Sequence, residues 1–424
     1  MAETHAGAAS TQARAGFDSR RISGGAYRLA CYVAIALGVS LPVSVALDNV
    51  LLGVLLLAWL VSARWREKYH LVRGNPVALC ALALLAWIAL GLTWGSGPLS
   101  DGLLYLRKYS DLLLIAILST VLVDVRDRRR ALLAFAGALV VTLVLSYALA
   151  LGWLPAGGVI TGDATNPTVF KRHITQNILM AFGALLFAEL ALEPARPRVR
   201  LLWAALSAAA VFNALFLVQG RTGYVVLAAL IVLFLFRTLR WKGVVPAAVL
   251  LVLAFAAAYQ FSGSFHKRVS LALVEANEWR PGVATQDPVG IRLEFYTNTL
   301  AIVREHPVLG VGTAGFASAY AQRVQGSAMV LTRNPHNQYL MTASQVGLVG
   351  LALLVLLFVE QWRCATRLPG AQERTLARGL VLTIAVGSVF NSLLIDHTES
   401  LFFAWMSGLL YAGYAPPSRP SKSS

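Results

Sequence analysis

The sequence "RNPHNQYLMTASQVGLVGLALLVLLFVEQW" covers residues 333–362 and joins a polar opening to a long apolar run. No side chain from residue 338 to residue 359 is charged. A helix that crosses a bilayer needs about 20 mostly apolar residues. The stretch therefore predicts a transmembrane helix with His336 and Asn337 at its entrance, where polar groups need partners or a function.

Composition extends this prediction to the whole chain. Of the 424 residues, 57% are hydrophobic and 13% are charged, whereas soluble proteins are about a quarter charged. The net charge of +16 lies mainly in short connections between apolar runs, so orientation in a membrane explains it better than binding to nucleic acid. The three cysteines (Cys31, Cys80 and Cys364) have no pairing or metal-ligand spacing and are predicted to be structural.

Twelve apolar runs predict an all-α, polytopic membrane helix bundle of about 12 transmembrane helices. The runs cover residues 27–47, 49–63, 75–94, 103–123, 131–153, 174–193, 200–219, 222–239, 243–261, 338–362, 376–395 and 399–415. Two thirds of the 36 Lys and Arg residues lie in every second connection, which predicts that both termini are cytoplasmic.

The predicted organisation has five parts. They are a disordered cytoplasmic N terminus (1–25), transmembrane helices 1–9 (26–261), a large non-cytoplasmic loop (262–337), transmembrane helices 10–12 (338–415) and a cytoplasmic tail (416–424).

Twelve basic residues lie outside the cytoplasmic set. They are Arg107, Lys108, Lys171, Arg172, Arg221, Lys267, Arg268, Arg280, Arg292, Arg304, Arg323 and Arg333. Orientation does not require them on the non-cytoplasmic side, and they are therefore the better functional candidates.

The large loop is predicted to be a partly helical cap that packs on the bundle. Within it, "IRLEFYTNTLAIVREHPVLG" predicts a helix that ends before Pro307. The following "GVGTAG" (310–315) matches a dinucleotide-binding pattern, but a helix precedes it instead of a strand. We expect a tight glycine turn that folds the loop back onto the membrane.

The sequence "GRTGY" (220–224) joins the seventh and eighth runs on the non-cytoplasmic side. Thr222 is predicted to cap the new helix. Arg221 beside the free N–H groups of a helix start indicates an anion site. The alternative is a tight turn with an arginine that reaches toward the membrane surface.

Two further stretches of the loop supply candidates. Arg292 and Tyr296 share one helix face in "RLEFY", and Arg292 is predicted either to clamp a diphosphate or to form a surface salt bridge. His336 is either a residue that satisfies backbone groups or a base near neutral pH. Asn337 or Gln338 is expected to fix its tautomer or bind a sugar hydroxyl, and Tyr339 to lie at the interface or stack on a sugar ring.

The remaining candidates are weaker. Arg107, Lys108 and Asp111 indicate either a tilted, partly interfacial helix or a first contact for a lipid-linked anion. Asp396 in "NSLLIDHTES" is expected to pair with an arginine or with His336. No second cluster with metal-ligand spacing is present in the sequence, so no metal site is predicted.

The order of "GRTGY", "RLEFY", "HPVLGVGTAGF" and "HNQYLMTASQVGLVG" between Arg221 and Gly347 resembles the O-antigen ligase and polymerase superfamily of bacterial inner membranes. The resemblance covers the whole chain in hydropathy. It implies a metal-independent membrane glycosyltransferase of the GT-C type without a cofactor. The implied donor is a glycan on undecaprenyl diphosphate, and the implied acceptor of the ligase branch is a sugar hydroxyl of the lipid A–core.

The family's essential residues carry over onto Arg221, Arg292 and His336, with the active site at the periplasmic face. The expected mechanism inverts the anomeric centre, with the two arginines on the diphosphate and His336 as general base. Asn337, Tyr339, Lys108, Arg172 and Asp396 are further substrate-binding candidates. Alternatives are an O-antigen polymerase, a protein O-oligosaccharyltransferase and, from another class, a secondary transporter.

Overall fold

The computed structural model describes residues 23–414 except 262, 281, 282 and 284. The part of the chain that it describes is helical, with no strand beyond two isolated β-bridges in residues 157–166. The predicted N-terminal segment 1–25 and tail 416–424 lie outside this description, except that residues 23–25 already begin the first helix.

The described residues form seventeen α-helices. Those before the large loop are α1 (23–40), α2 (Val45–Val61), α3 (Trp65–Arg73), α4 (Pro76–Leu90), α5 (Leu99–Tyr109), α6 (Leu112–Val121), α7 (Val125–Ala150), α8 (His173–Ala191), α9 (Pro197–Phe212), α10 (Arg221–Leu239) and α11 (Val244–Phe261). The others are α12 (Gly263–Glu278), α13 (Pro288–Glu305), α14 (Gly315–Arg323), α15 (Gln338–Ala365), α16 (Ala371–Gly387) and α17 (His397–Tyr411).

Every predicted apolar run coincides with a helix or a pair of helices, which confirms the all-α polytopic class. Among the described residues, five helices are long and apolar enough to cross a membrane: α7, α8, α9 with its π-turn, α10 with the 3₁₀ turn after it, and α15. A sixth span results if α2 and α3, bent by 113°, count as one. The full number of twelve stays a prediction.

Two predicted spans have different ends in the structure. The boundary between the first two runs lies at residues 41–44, because Pro42 cannot continue a helix and the Ser44 hydroxyl caps α2 by accepting from the N–H of Leu47 at 3.3 Å. The run 103–123 is not one helix. It breaks after Tyr109, where the Ser110 hydroxyl donates to the carbonyl of Arg107 at 2.7 Å.

The glycine turn of the large loop is inserted into a break in α15. Val346 (φ −123°, ψ 20°) and Gly347 (φ 70°, ψ −175°) interrupt that helix. The carbonyls of Ser344 and Gln345 accept from Val311 N and Gly312 N, at 2.8 and 2.7 Å. The expected fold-back of the loop onto the bundle is therefore confirmed, and the interrupted helix keeps its backbone hydrogen-bonded.

Glycine is required at the centre of this insertion. Gly312 has φ +86°, and a Cβ there would overlap the backbone of Gly95. The N–H of Thr313 continues the attachment by donating to the carbonyl of Gly91 at 3.0 Å. The glycines of the "GVGTAG" pattern thus allow the loop to pack closely against the end of α4 and against α15.

The basic connections on the predicted cytoplasmic side meet at one end of the bundle. Buried Arg128 at the start of α7 pairs with Glu373 at the start of α16 at 3.0 Å. Arg237 near the end of α10 pairs with fully buried Glu189 of α8, also at 3.0 Å. These ion pairs join four helices at the end remote from the large loop.

Candidate active site

The site begins at the N terminus of α10. Gly220 precedes the helix, Arg221 is its first residue, and the Arg221 side chain is exposed. The predicted cap at Thr222 is wrong, because Thr222 is already inside the first turn and is buried. Its hydroxyl instead accepts from the amide of Asn391 at 2.7 Å, which ties α10 to the connection between α16 and α17.

A residue that the sequence analysis missed holds this turn in place. Asn177 of α8 is completely buried, and its side-chain NH₂ donates to the carbonyls of Ala214, Val218 and Gly220 at 3.2–3.3 Å. Gly223 faces the Asn177 side chain, where a Cβ would be too close. The available signal was a lone amide inside an apolar run, which needs partners when buried.

The second arginine lies on α13, whose extent confirms the helix predicted before Pro307. Arg292 is half-buried and Tyr296 follows one turn later. The Tyr296 hydroxyl makes a shared donation to the carbonyls of His336 and Val389, at 3.2 and 3.0 Å. Glu294 is buried elsewhere on the helix. The face with Arg292 therefore packs against the segment that carries His336.

His336 is held in a strained backbone conformation just before α15. Its φ is +55°, in the left-handed region that is uncommon for a residue with a Cβ. Its N–H donates to Asn334 Oδ1 at 2.8 Å, and Ser392 Oγ donates to the same oxygen at 2.7 Å. The imidazole stacks on Phe295 of α13, with centroids 6.2 Å apart. The backbone of His336 is thus held within its own segment, and its ring packs on α13.

Arg292 lies within electrostatic reach of both Arg221 and His336. Burial lowers the pKa of Arg292, and the positive charge of Arg221 lowers it further. Burial also lowers the pKa of His336 below its usual value, with a second contribution from the Arg292 guanidinium. The site therefore combines two cations with an imidazole that is neutral at pH 7, which suits an anion beside a proton acceptor.

The polar side chains next to His336 form hydrogen bonds with other parts of the protein. Asn337 is the N-cap of α15, where its Oδ1 accepts from the N–H of Leu340 at 3.0 Å. Gln338 donates to the hydroxyl of Tyr109 at 3.0 Å. The Tyr339 hydroxyl donates to the carbonyl of Ala385 at 2.7 Å. These bonds fix the entrance of α15, and a sugar contact by Asn337 or Tyr339 stays a prediction.

Among the described residues, no hydrogen bond or ion pair joins Lys108, Arg172 or Asp396 to Arg221, Arg292 or His336. Lys108 and Asp396 line a separate polar cavity with Arg107 and Asp111. Asp396 forms no ion pair with an arginine or with His336 among the described residues. Arg172 is exposed at the start of α8. No group of three His, Cys, Asp or Glu side chains placed to hold a metal occurs in the described part of the chain.

Comparison with known proteins supports the resemblance. Residues 206–355 match the family model described as O-antigen ligase, and this segment contains Arg221, Arg292 and His336. The predicted resemblance is confirmed for that segment. None of the curated proteins matches the chain.

Three solved chains are similar to this one. One comes from a study of a peptidoglycan synthase complex that coordinates polymerization and crosslinking. It is 21% identical, with a TM-score of 0.45, and the match covers 78% of this chain and 95% of the other.

Proposed function

We propose that this chain is an O-antigen ligase: a membrane glycosyltransferase that moves a glycan from undecaprenyl diphosphate to a sugar hydroxyl of the lipid A–core. The carrying observation is that Arg292 lies within electrostatic reach of Arg221 and of His336, and that all three belong to the segment that matches the ligase family. The proposed reaction takes place at the periplasmic face of the inner membrane.

The two arginines suit the diphosphate of the donor. Arg221 stands at a helix N terminus, where the free N–H groups and the helix dipole also favour an anion. Arg292 is half-buried, so its charge-assisted hydrogen bonds to phosphate are less screened by water. Together they stabilise the charge that grows on the diphosphate as the sugar C1–O bond breaks.

His336 acts as the general base in this proposal. A sugar hydroxyl attacks C1 while its proton passes to the imidazole, and the diphosphate leaves with the bonding electron pair. The lowered pKa keeps the ring unprotonated before the reaction. Direct displacement inverts the anomeric centre, and the reaction in this form needs neither a metal nor a cofactor.

An apolar cavity supports a lipid-linked donor. It measures about 260 Å³ and lies between α8, α9 and α10. Leu227, Leu230 and Phe234 line it from α10, the helix that begins at Arg221. At 1.5 Å per residue, Leu227 lies roughly 9 Å below Arg221 along the axis. A polyprenyl chain in this cavity places its diphosphate near the helix start.

Other activities fit the same chain less well. A polymerase or a protein O-oligosaccharyltransferase shares the donor, whereas the one large loop favours the ligase. A transporter binds its ligand at interrupted helices near the bilayer midplane. Here backbone from Val311 and Gly312 occupies the break in α15, which leaves the polar groups at one end of the bundle.

The experiment is deletion of the gene in a strain with a single copy, followed by gel analysis of lipopolysaccharide. Loss of a ligase removes the O-antigen ladder while polymer accumulates on the carrier lipid. Loss of a polymerase leaves cores with a single repeat instead. A normal ladder with a lost glycoprotein points to the protein-directed branch, and an entirely normal strain contradicts the proposal.

A further inference from the structure

A second cavity lies where α5 ends and α6 begins. It measures about 470 Å³ and faces the connection that leads into α17. Its polar and charged lining consists of Asn49, Arg107, Lys108, Ser110, Asp111, Asp396 and His397. The proposed reaction assigns no step to this space.

The rim of the cavity carries both signs of charge. Arg107 and Lys108 occupy the last turn of α5 and are exposed. Across from them, burial raises the pKa of Asp396, while Lys108 lowers it. Two adjacent cations beside a carboxyl group suit a ligand that has an anionic group and hydroxyls.

A group of buried polar side chains lies behind His397, which lines the cavity. Asp48 is completely buried, and its Oδ1 accepts from Ser40 Oγ at 2.6 Å. Its Oδ2 lies 3.7 Å from His397 Nε2 and 3.8 Å from Lys171 Nζ, without a hydrogen bond to either. Lys171 in turn donates to the hydroxyl of Thr398 at 3.1 Å. A buried carboxylate therefore lies close behind His397, which is at the edge of the cavity.

Hydrogen bonds connect α5, which lines the cavity, to the segment that carries His336. The hydroxyl of Tyr105, one turn before Lys108, donates to the carbonyl of Arg333 at 2.8 Å. The segment 333–337 therefore bonds to α5 through Tyr105 and to α13 through Tyr296. One helix presents Lys108 and the other presents Arg292, and the second attachment is at the carbonyl of His336 itself.

We propose that this cavity is the acceptor compartment and binds a phosphorylated sugar. The phosphate contacts Arg107 and Lys108, and a sugar hydroxyl bonds to Asp396. The inference rests on the proposed function, since a transfer reaction needs a place for a second substrate beside the diphosphate site. It assigns Lys108 and Asp396 to acceptor binding and Arg221 and Arg292 to donor binding.

The test measures binding to the full chain in nanodiscs of neutral phosphatidylcholine. The probes are an acylated glucosamine disaccharide with two phosphates, the same disaccharide without phosphate, and undecaprenyl diphosphate. The variants are Arg107→Gln/Lys108→Gln and, for the other site, Arg221→Gln. Arg323→Gln serves as control, because Arg323 is a cation of the large loop that pairs with Glu305. Thermal unfolding confirms that each variant is folded.

We expect the double variant to raise the Kd for the bisphosphorylated disaccharide about tenfold or more. Its Kd values for the other two probes should stay within about twofold of those of the original protein. Arg221→Gln should weaken the binding of undecaprenyl diphosphate only. Unchanged binding of the disaccharide by the double variant overturns the inference, as does selective loss of undecaprenyl diphosphate. Failure of the proposed function looks different: the original protein binds the bisphosphorylated disaccharide and undecaprenyl diphosphate, but transfers no glycan to the disaccharide when the donor is undecaprenyl diphosphate that carries one.

Discussion

At the scale of single residues, His336 combines an unusual backbone with an unusual environment. A left-handed φ costs a residue with a Cβ roughly 1 kcal/mol or more. The hydrogen bond that the His336 N–H donates to Asn334 Oδ1 and the stacking on Phe295 offset that cost. Conformations of this kind concentrate at functional sites, so the strain is an argument for function independent of the family match.

Replacing His336 by Ala should lower the transfer rate about 100-fold or more, because the acceptor hydroxyl loses its base. Affinity for undecaprenyl diphosphate should stay within about threefold, since the two arginines remain. Purified protein with donor and acceptor in detergent gives both quantities. His306→Ala is the matched control, because His306 is exposed in the same loop. A His336→Ala protein with wild-type rates contradicts the catalytic role.

The pH dependence of transfer follows from the lowered pKa of His336. A base works unprotonated, so kcat/KM should be full near neutral pH and fall as the pH drops through the lowered pKa. Burial and the Arg292 charge place this limb below the usual histidine value of about 6.5. In Arg292→Gln the pKa of His336 should rise, so the fall in kcat/KM should begin at a higher pH. A pH–rate profile of both proteins tests this, and a limb above 6.5 in the original protein refutes it.

The sequence led to the candidate active-site residues but not to those that position them. Arg221 and Arg292 stood out because they oppose the orientation bias. Asn177 did not, because a single amide in an apolar run carries no pattern that reveals its partners. Thr222 was misassigned as a cap, since its actual partner, Asn391, is 169 positions away in the chain.

At the scale of elements, apolar runs predicted where helices exist but not where they break. The interruption of α15 depends on donors from Val311 and Gly312, over thirty residues earlier in the chain. Hydropathy along a run contains no information about such a distant partner. The separation of α5 from α6 has a local signal, because Arg107 and Lys108 interrupt the apolar pattern there.

Gly312→Ala tests the insertion. The new methyl group meets the backbone of Gly95, and the φ of +86° is also unfavourable for alanine. We expect a loss of about 3 kcal/mol or more in the free energy of unfolding. Gly326→Ala is the control, because Gly326 has φ +78° but open space around it, and should cost only about 1–2 kcal/mol. Equal losses, measured by thermal or denaturant unfolding in detergent, contradict the insertion.

At the scale of the whole molecule, the buried pair of Arg128 and Glu373 holds two distant helices together. Removing one partner leaves a buried charge uncompensated, so Arg128→Ala should cost about 3–5 kcal/mol. Arg130→Ala is the comparison, since Arg130 is exposed and pairs with Asp127, and should cost under about 1 kcal/mol. Denaturant titration in detergent measures both, and similar values show that the pair is not structural.

The charge pattern along the sequence predicts the sidedness of the membrane protein. A single cysteine at position 326, in the large loop, should react with an impermeant maleimide in intact spheroplasts. A single cysteine at position 196, between α8 and α9, should react only after lysis. The three native cysteines are replaced first. Labelling at position 196 before lysis would show the opposite topology and exclude a periplasmic site.

The inserted glycine turn limits how this protein can be re-engineered. Because residues 311–313 are bonded to the end of α4 and to the break in α15, the large loop is not a module that can be grafted by itself. In a chimera that exchanges only the loop, the new residues 311–313 meet an α4 end and an α15 break that do not match them. Exchange of sugar preference between related proteins therefore has to carry residues 91–96, 307–315 and 344–348 as one unit.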